Sequence, residues 1–310
     1  MQLTNRRVRL MGTVIDVSIY HEEPESLLDQ VEALLHTYNK RFSANDDSSE
    51  LMKINKAAGL HPVTVHPEPF ELTSLGKWHS CQPGSHLNIA IGPLIQTWRI
   101  GFSDAKLPLP EEIRPLLDII NPNAILLSEE NQSVFLKEKG MKIDLGALAK
   151  GYIADRIADF LKAEKVTSAL INLGGNVLTF GPALHNPDHK WRIGIQNPKE
   201  TRNTNLMVLA IRDKSVVTSG IYERTFEIDG KTYHHIFDSQ TGYPVSSDLA
   251  SLTIISSLSV DGEIWTTRLF GSSLEHIFQE VSSQAELEAI IVDKDNHCFQ
   301  TGGIYKMRIS

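Results

Sequence analysis

The 310-residue chain has only two cysteines, Cys81 and Cys298. Two are too few for a disulfide framework or a cysteine-bound zinc site, so both read as reduced thiols. No window of 18 residues is apolar throughout, and no membrane-spanning helix is expected. Basic excess is missing as well: 30 Lys and Arg stand against 38 Asp and Glu, a net charge of −8. Nucleic-acid binders draw most of their affinity from Lys and Arg on phosphates, so that class is excluded. The densest basic run, Arg6-Arg7 with Arg9, is too short to be a docking surface. There is no internal repeat, low-complexity tract or polar linker, and the expectation is one unit over residues 1–310. The first residues, Met1-Gln-Leu-Thr-Asn-Arg-Arg, lack the apolar region of a signal peptide. The expected location is therefore the cytoplasm, with a trimmed exported form as the alternative.

What is present is regular patterning. Val8–Tyr20 is rich in β-branched residues and predicts a strand. Leu27, Leu28, Val31, Leu34, Leu35 and Tyr38 fall at helical spacing and predict a helix from Glu25 to about Arg41. A second helix is predicted from Pro67 to about His79, and a hairpin from Ala124–Leu127 and Val134–Leu136. The strongest helical stripe, Leu148, Tyr152, Ile153, Ile157 and Phe160, predicts a helix over Ala147–Leu161. Strands follow at Ala169–Asn172, Trp191–Gln196, Met207–Ile211, Ser215–Thr218, Thr232–Phe237, Leu252–Ile255 and Ala289–Val292. A helical stretch over Asp261–Val281 is expected to break near Gly271. Helix and strand runs interleave without a βαβ rhythm, which predicts an α+β fold.

Four clusters carry the chemistry. In Asp144-Leu-Gly-Ala-Leu-Ala-Lys150, an acid and a glycine precede a helix start, and Lys150 lies in its first turns. A helix N-terminus offers unpaired N–H groups and partial positive charge, which suits a phosphate. Alone, Asp144 reads as an N-cap and Lys150 as a solvated side chain. The spacing is not that of a P-loop. Asn172-Leu-Gly-Gly-Asn176 follows an apolar strand and reads as a turn. Val217-Thr-Ser-Gly-Ile-Tyr-Glu-Arg224, followed by Tyr233-His-His-Ile-Phe-Asp-Ser-Gln-Thr-Gly-Tyr-Pro244, concentrates hydroxyls, Asp238 and two adjacent strand histidines, which face opposite ways and cannot share a metal. One of them, His234 or His235, could face a pocket as a base. Finally, in Val260-Asp-Gly-Glu-Ile-Trp-Thr-Thr-Arg268, Glu263 and Thr267 are an i,i+4 pair of hard oxygens, which Mg²⁺ prefers. The plain reading of these acids is a helix start complementing its dipole.

In this order the clusters resemble the ApbE family, the FAD:protein FMN transferases. The resemblance runs from about Val8 to Gly271. It includes Met11-Gly-Thr13 in the first strand, Phe42-Ser43, Ser49-Glu50-Leu51 with Asn55, and Ile91-Gly-Pro-Leu94 with Trp98. It continues through Asp144–Asp155, Leu173-Gly-Gly175, Trp191–Ile195, Thr218-Ser-Gly220 and His234–Pro244. The resemblance implies an ApbE-like, T-fold-like α+β unit of mixed sheets and flanking helices, with FAD in a cleft between two halves. It implies Mg²⁺-dependent transfer of the FMN moiety of FAD to a threonine hydroxyl of a target flavoprotein, with release of AMP. An FAD pyrophosphatase and a non-catalytic flavin-binding protein are the alternatives.

Carried over by position, Asp144 and Lys150 would contact FAD, Lys150 near its phosphates. Met11, Asn45, His86, Leu87, Asn88 and Ile236 would line the flavin or adenine pocket. His235 would bind there and act as base or acid. The Ala147 carbonyl would be a metal ligand. The family's metal Asp with a Thr four residues on has two registers here. Asp261 would pair with Trp265, which cannot ligate; Glu263 would pair with Thr267 and is preferred, with Asp261 as fallback. Leu87-Asn88-Ile89-Ala90 stands where relatives often have Phe-Asp-Pro-Thr, and Asn45 where Tyr is frequent.

Overall fold

A computed structural model describes residues 2–202 and 204–309. The chain opens with a hairpin, β1 (Leu3–Leu10) and β2 (Thr13–Tyr20). The single strand expected over Val8–Tyr20 is thus cut by a turn. Met11 and Gly12 both take positive φ, 53° and 70°, and consecutive left-handed residues reverse a strand in register. Met11-Gly12 therefore sits at a hairpin tip.

Helices α1 (Pro24–Phe42) and α2 (Glu50–Lys56) follow, then the short β3 (Val63–Thr64) and α3 (Pro67–Ser80). Next come α4 (Gly92–Trp98), α5 (Pro110–Leu117), β4 (Ile125–Ser128) and β5 (Ser133–Leu136). Helix α6 (Ala149–Ala163) precedes the hairpin β6 (Ala169–Leu173) and β7 (Asn176–Phe180). Hairpin β8 (Trp191–Gln196) and β9 (Asn205–Ile211) leads to β10 (Ser215–Gly220). Then come β11 (Thr225–Ile228), β12 (Lys231–His234), β13 (Leu249–Ser256), α7 (Ser259–Leu269) and α8 (Leu274–Ser282). Strands β14 (Glu288–Asp293) and β15 (Cys298–Gln300) follow, and a 3-10 turn (Gly302–Lys306) comes last.

The central sheet has eight strands in the order β1-β2-β6-β7-β10-β13-β14-β15. It draws on both ends of the chain, from Leu3 to Gln300. The mixture of sheets takes the form of four separate sheets whose ladders, among the described residues, are antiparallel. Side chains alternate across the main sheet, as period two requires. Ile15, Ile171, Leu252, Ile254 and Ile291 face the core shared with α1, α6 and α7. Tyr20, Val177, Val216, Ile255 and Ile290 face a second core under the β8–β9 hairpin. Both faces are apolar, which is why β13 is buried along its whole length.

Helix α1 shows what holds this arrangement. Its stripe of Leu27, Leu28, Val31, Leu35, Tyr38 and Phe42 is buried. On the outside, Arg6 of β1 pairs with Glu25, Asp29 and Glu32 at 2.8–3.0 Å. Exposed pairs are worth about 0–1 kcal/mol each, whereas each buried large apolar side chain is worth about 1.5–3 kcal/mol. Packing fixes α1, and the ion pairs only trim its register. No helix among the described residues is long and apolar enough to cross a membrane.

A third core supports the site. Leu94 and Trp98 of α4, Ile113 of α5, Ile120 and Phe237 pack together. Trp98 Nε1 donates to Gly242 O at 2.9 Å, tying the Thr241-Gly-Tyr-Pro244 turn to α4. That turn closes on Asp238, whose N–H donates to Tyr243 O at 2.8 Å.

Candidate active site

Helices α6 and α7 lie against each other, with Gly151 of α6 packed on the start of α7. A Cβ there would sit 2.6 Å from Ser259 O and 2.8 Å from Glu263 Cγ, so only glycine permits the approach. Helix α7 has no capping side chain of its own. Its cap comes from α6: Asp155 accepts from Ser259 N at 2.7 Å and Val260 N at 2.9 Å. Burial pushes the Asp155 carboxyl up to about 6, against the effect of those two bonds.

This contact brings the expected residues of two distant clusters together. Lys150 Nζ donates to Glu263 Oε1 at 2.8 Å, with Glu263 almost wholly buried and Lys150 half-exposed. Asn176 Nδ2 donates to the same oxygen at 2.9 Å. Glu263 therefore sits against the first turns of α6, close in sequence to Ala147. Thr267 lies one turn further along α7, half-buried. Its hydroxyl has no hydrogen-bond partner among the described residues. Asp261 is two positions before Glu263, roughly 200° around the helix. Burial raises its pKa, and its charge in turn raises that of Asp155.

Asp144 is held from two sides. Its N–H donates to Ile89 O at 2.8 Å. The preceding Ile143 is bracketed by buried Asn55, which bonds both its N–H (2.7 Å) and its C=O (2.9 Å). The Asp144 carboxylate accepts from Gly146 N at 2.7 Å. It closes the loop before α6 and is not the helix N-cap, which is Leu148. Burial raises the Asp144 pKa, opposed by that bond and by the Arg224 guanidinium.

The two histidines separate cleanly. The strand expected through Phe237 ends at His234. The His234 ring takes over there, accepting from Ile236 N at 3.3 Å and facing Val245 O at 3.1 Å. Both its nitrogens are committed to the backbone. His235 Nδ1 faces Arg224 O at 3.3 Å. A carbonyl only accepts, so Nδ1 carries the hydrogen and Nε2 presents its lone pair. Burial first, then the charge of Arg224, pushes the His235 pKa down to about 4, with Lys150 a smaller contributor. His235 is therefore an unprotonated base at neutral pH, near two cations.

The remaining expected residues divide. Met11, half-buried, and Ile236 both pack on the main core. The Met11 turn meets the β6–β7 turn, where a Cβ on Gly174 would lie 2.1 Å from Thr13 Oγ1. Gly174-Gly175 is the expected turn, its Gly175 N–H donating to Asn172 Oδ1 at 2.8 Å. His86 N–H donates to Arg268 O at 3.0 Å, which ties this stretch to the end of α7. Leu87 is 2% exposed and belongs to the core. The Asn88 side chain is spent on scaffold: it accepts from Ala90 N and donates to Ile120 O and Ser239 Oγ. Asn45 is exposed on the loop between α1 and α2, its N–H on Ser43 Oγ. Among the described residues, no bond joins it to the others. Sequence reasoning included Asn176 and Arg224 in its clusters but gave neither a role, because neither burial nor proximity is written in their spacing. A recess of about 400 Å³ lined by Phe278, Cys298, Gln300, Tyr305 and Arg308 involves none of these residues.

The fold and site together define a class, an α+β chain whose architecture is that of solved flavin transferases. It superposes on an ApbE protein from Thermotoga maritima with TM-score 0.91, at 24% identity and full coverage of both chains. It superposes on the apo flavinyl transferase ApbE of Pseudomonas stutzeri with TM-score 0.85, at 22% identity, covering 99% of this chain and 96% of that one. The chain belongs to the ApbE family, whose model matches residues 11–291. It is 44% identical over 286 residues to an FAD:protein FMN transferase of Klebsiella pneumoniae, covering 92% of this chain and 88% of that one. A Treponema pallidum protein of the same name is 32% identical over 315 residues, covering 97% and 87%.

Proposed function

We propose that this enzyme transfers the FMN moiety of FAD to a threonine hydroxyl of an acceptor flavoprotein and releases AMP. The observation that carries the reading is the Lys150–Glu263 pair where α6 meets α7, with the unprotonated His235 near enough to feel the Lys150 charge. Pyrophosphate attack needs positioned charge more than covalent help from the protein. The threonine oxygen forms a bond to the FMN phosphorus while the bond from that phosphorus to the bridging oxygen breaks. AMP departs with that oxygen, and the threonine proton passes to His235 Nε2. Lys150 places an ammonium beside the phosphates. In this reading Met11, Asn45, the His86–Asn88 stretch and Ile236 line the flavin or adenine pocket, and Asp144 contacts FAD. The cleft lies between the two halves of one 1–310 unit, a reading supported by the central sheet they share.

The donor set fits a hard divalent cation. Glu263 and Thr267 are spaced one turn apart on α7, and the Ala147 carbonyl precedes α6, against which Glu263 rests. Asp261 turns away from this face toward Asp155 and is the alternative carboxylate. Bound there, Mg²⁺ would supply Lewis-acid neutralisation of the pyrophosphate.

The test mixes enzyme, FAD, Mg²⁺ and a candidate acceptor domain, followed by chromatography and mass spectrometry. AMP and an acceptor heavier by one FMN residue are expected. Free FMN formed without acceptor would assign a pyrophosphatase instead. FAD that stays bound and intact would overturn the enzymatic reading.

A further inference from the structure

We propose that Asn176 is a positioning residue that orients Glu263 for both cation and Lys150. The proposal rests on the transferase reading and deepens it. Asn176 begins β7 immediately after Gly174-Gly175 and is 2% exposed. The group facing a carboxylate must donate, so the amide NH₂ points at Glu263 Oε1, at 2.9 Å. Its Oδ1 must then face Ser259, whose hydroxyl donates to it. The Ser259 oxygen in turn receives the Ser215 hydroxyl at 2.9 Å. The amide orientation is thus fixed by a buried chain across β10, the start of α7 and β7.

Lys150 and Asn176 both bind Oε1 of Glu263. Neither takes Oε2, and in this proposal that oxygen is the one that meets the cation. A glutamate has three side-chain torsions to restrain, and Asn176 is the neutral group that restrains them. A carboxylate at 176 would instead add a second buried negative charge beside Glu263. Asn176 does not touch FAD in this scheme; it acts through Glu263.

The measurement is Mn²⁺ binding to the FAD-free enzyme by electron paramagnetic resonance, beside FAD binding in EDTA by flavin fluorescence. For Asn176→Leu, the Mn²⁺ dissociation constant is expected to rise about 10–100-fold, the range for losing a partner of a metal ligand. FAD affinity in EDTA is expected to stay within about twofold, because the amide's effect passes through the carboxylate. A folded Asn176→Leu enzyme with wild-type Mn²⁺ affinity would overturn the proposal. Should that variant fail to fold, Ser259→Ala removes the donor behind the amide and is expected to weaken Mn²⁺ in the same direction. Unchanged affinity there would equally overturn it. Wild-type enzyme that binds Mn²⁺ and releases AMP while both variants match it leaves the transferase reading standing and removes only this one. Wild-type enzyme without Mn²⁺ binding removes the metal assignment itself.

Discussion

Lys150 and His235 show how one side chain's chemistry is set by its neighbours. Lys150 is a point charge whose carboxylate partner is nearly buried, so its ammonium stays at the end of a fixed tether. Replacing it with alanine removes charge stabilisation and is expected to slow AMP release about 10²–10³-fold, the scale for one lost electrostatic donor. Single-turnover AMP formation checks this, and wild-type rates would rule out the role. His235 has a depressed pKa, so the base form dominates above about 4. The sign is that of a base disabled by protonation. In the free-enzyme profile, kcat/KM should be level around neutrality and fall on the acid side with an inflection near 4, not near the ordinary 6.5. An inflection at the ordinary value would mean that the ring is solvated and the base lies elsewhere. The histidine pair also marks a limit of sequence reading. The motif pointed to His235, but only the carbonyls of Arg224 and Val245 explain why His235 keeps a free nitrogen and His234 does not.

The working unit one scale up is the α6–α7 pair. Its two helices were legible because long apolar stripes and a break at Gly271 are one-dimensional signals. The shared face of Glu263 and Thr267 was legible too, since the i,i+4 spacing needs only the helix α7 that carries both. What joins the helices was not legible. The Asp155 cap spans 104 residues, and the approach at Gly151 depends on what lies opposite it. Shorter elements escaped for the same reason: α2, α4 and α5 have seven or eight residues and are stabilised by tertiary packing more than by propensity. The first hairpin escaped because a positive φ at Met11 has no composition signal. Gly151→Ala tests the contact. Its methyl would overlap Ser259 O and Glu263 Cγ, and overpacking of this kind costs about 1–3 kcal/mol. Urea unfolding should show that loss, with activity falling further than stability because Glu263 is displaced. A neutral substitution would mean that α7 can slide without harm.

The whole molecule must hold an anion despite a net charge of −8. A global field cannot attract FAD, so attraction must be local. The positive elements available are Lys150, Arg224 and the start of α6, and the proposed cation would add two more charges beside Glu263. This predicts a strong synergy between FAD and Mg²⁺ that neither shows alone. A ligand at about 100 times its dissociation constant stabilises the native state by about 2.7 kcal/mol. At about 2.1 cal/mol/K of unfolding entropy per residue, each kcal/mol raises the Tm of a chain this long by about 1.5 °C. FAD with Mg²⁺ should therefore raise Tm by about 4 °C, well beyond the sum of the separate shifts. EDTA should return the FAD shift to its metal-free value. Lys150→Ala should shrink the joint shift, because the remaining positive groups cannot replace an ammonium tethered to the buried Glu263. Equal shifts with and without metal would show that the protein alone neutralises the pyrophosphate, and the cation would lose its place beside Glu263.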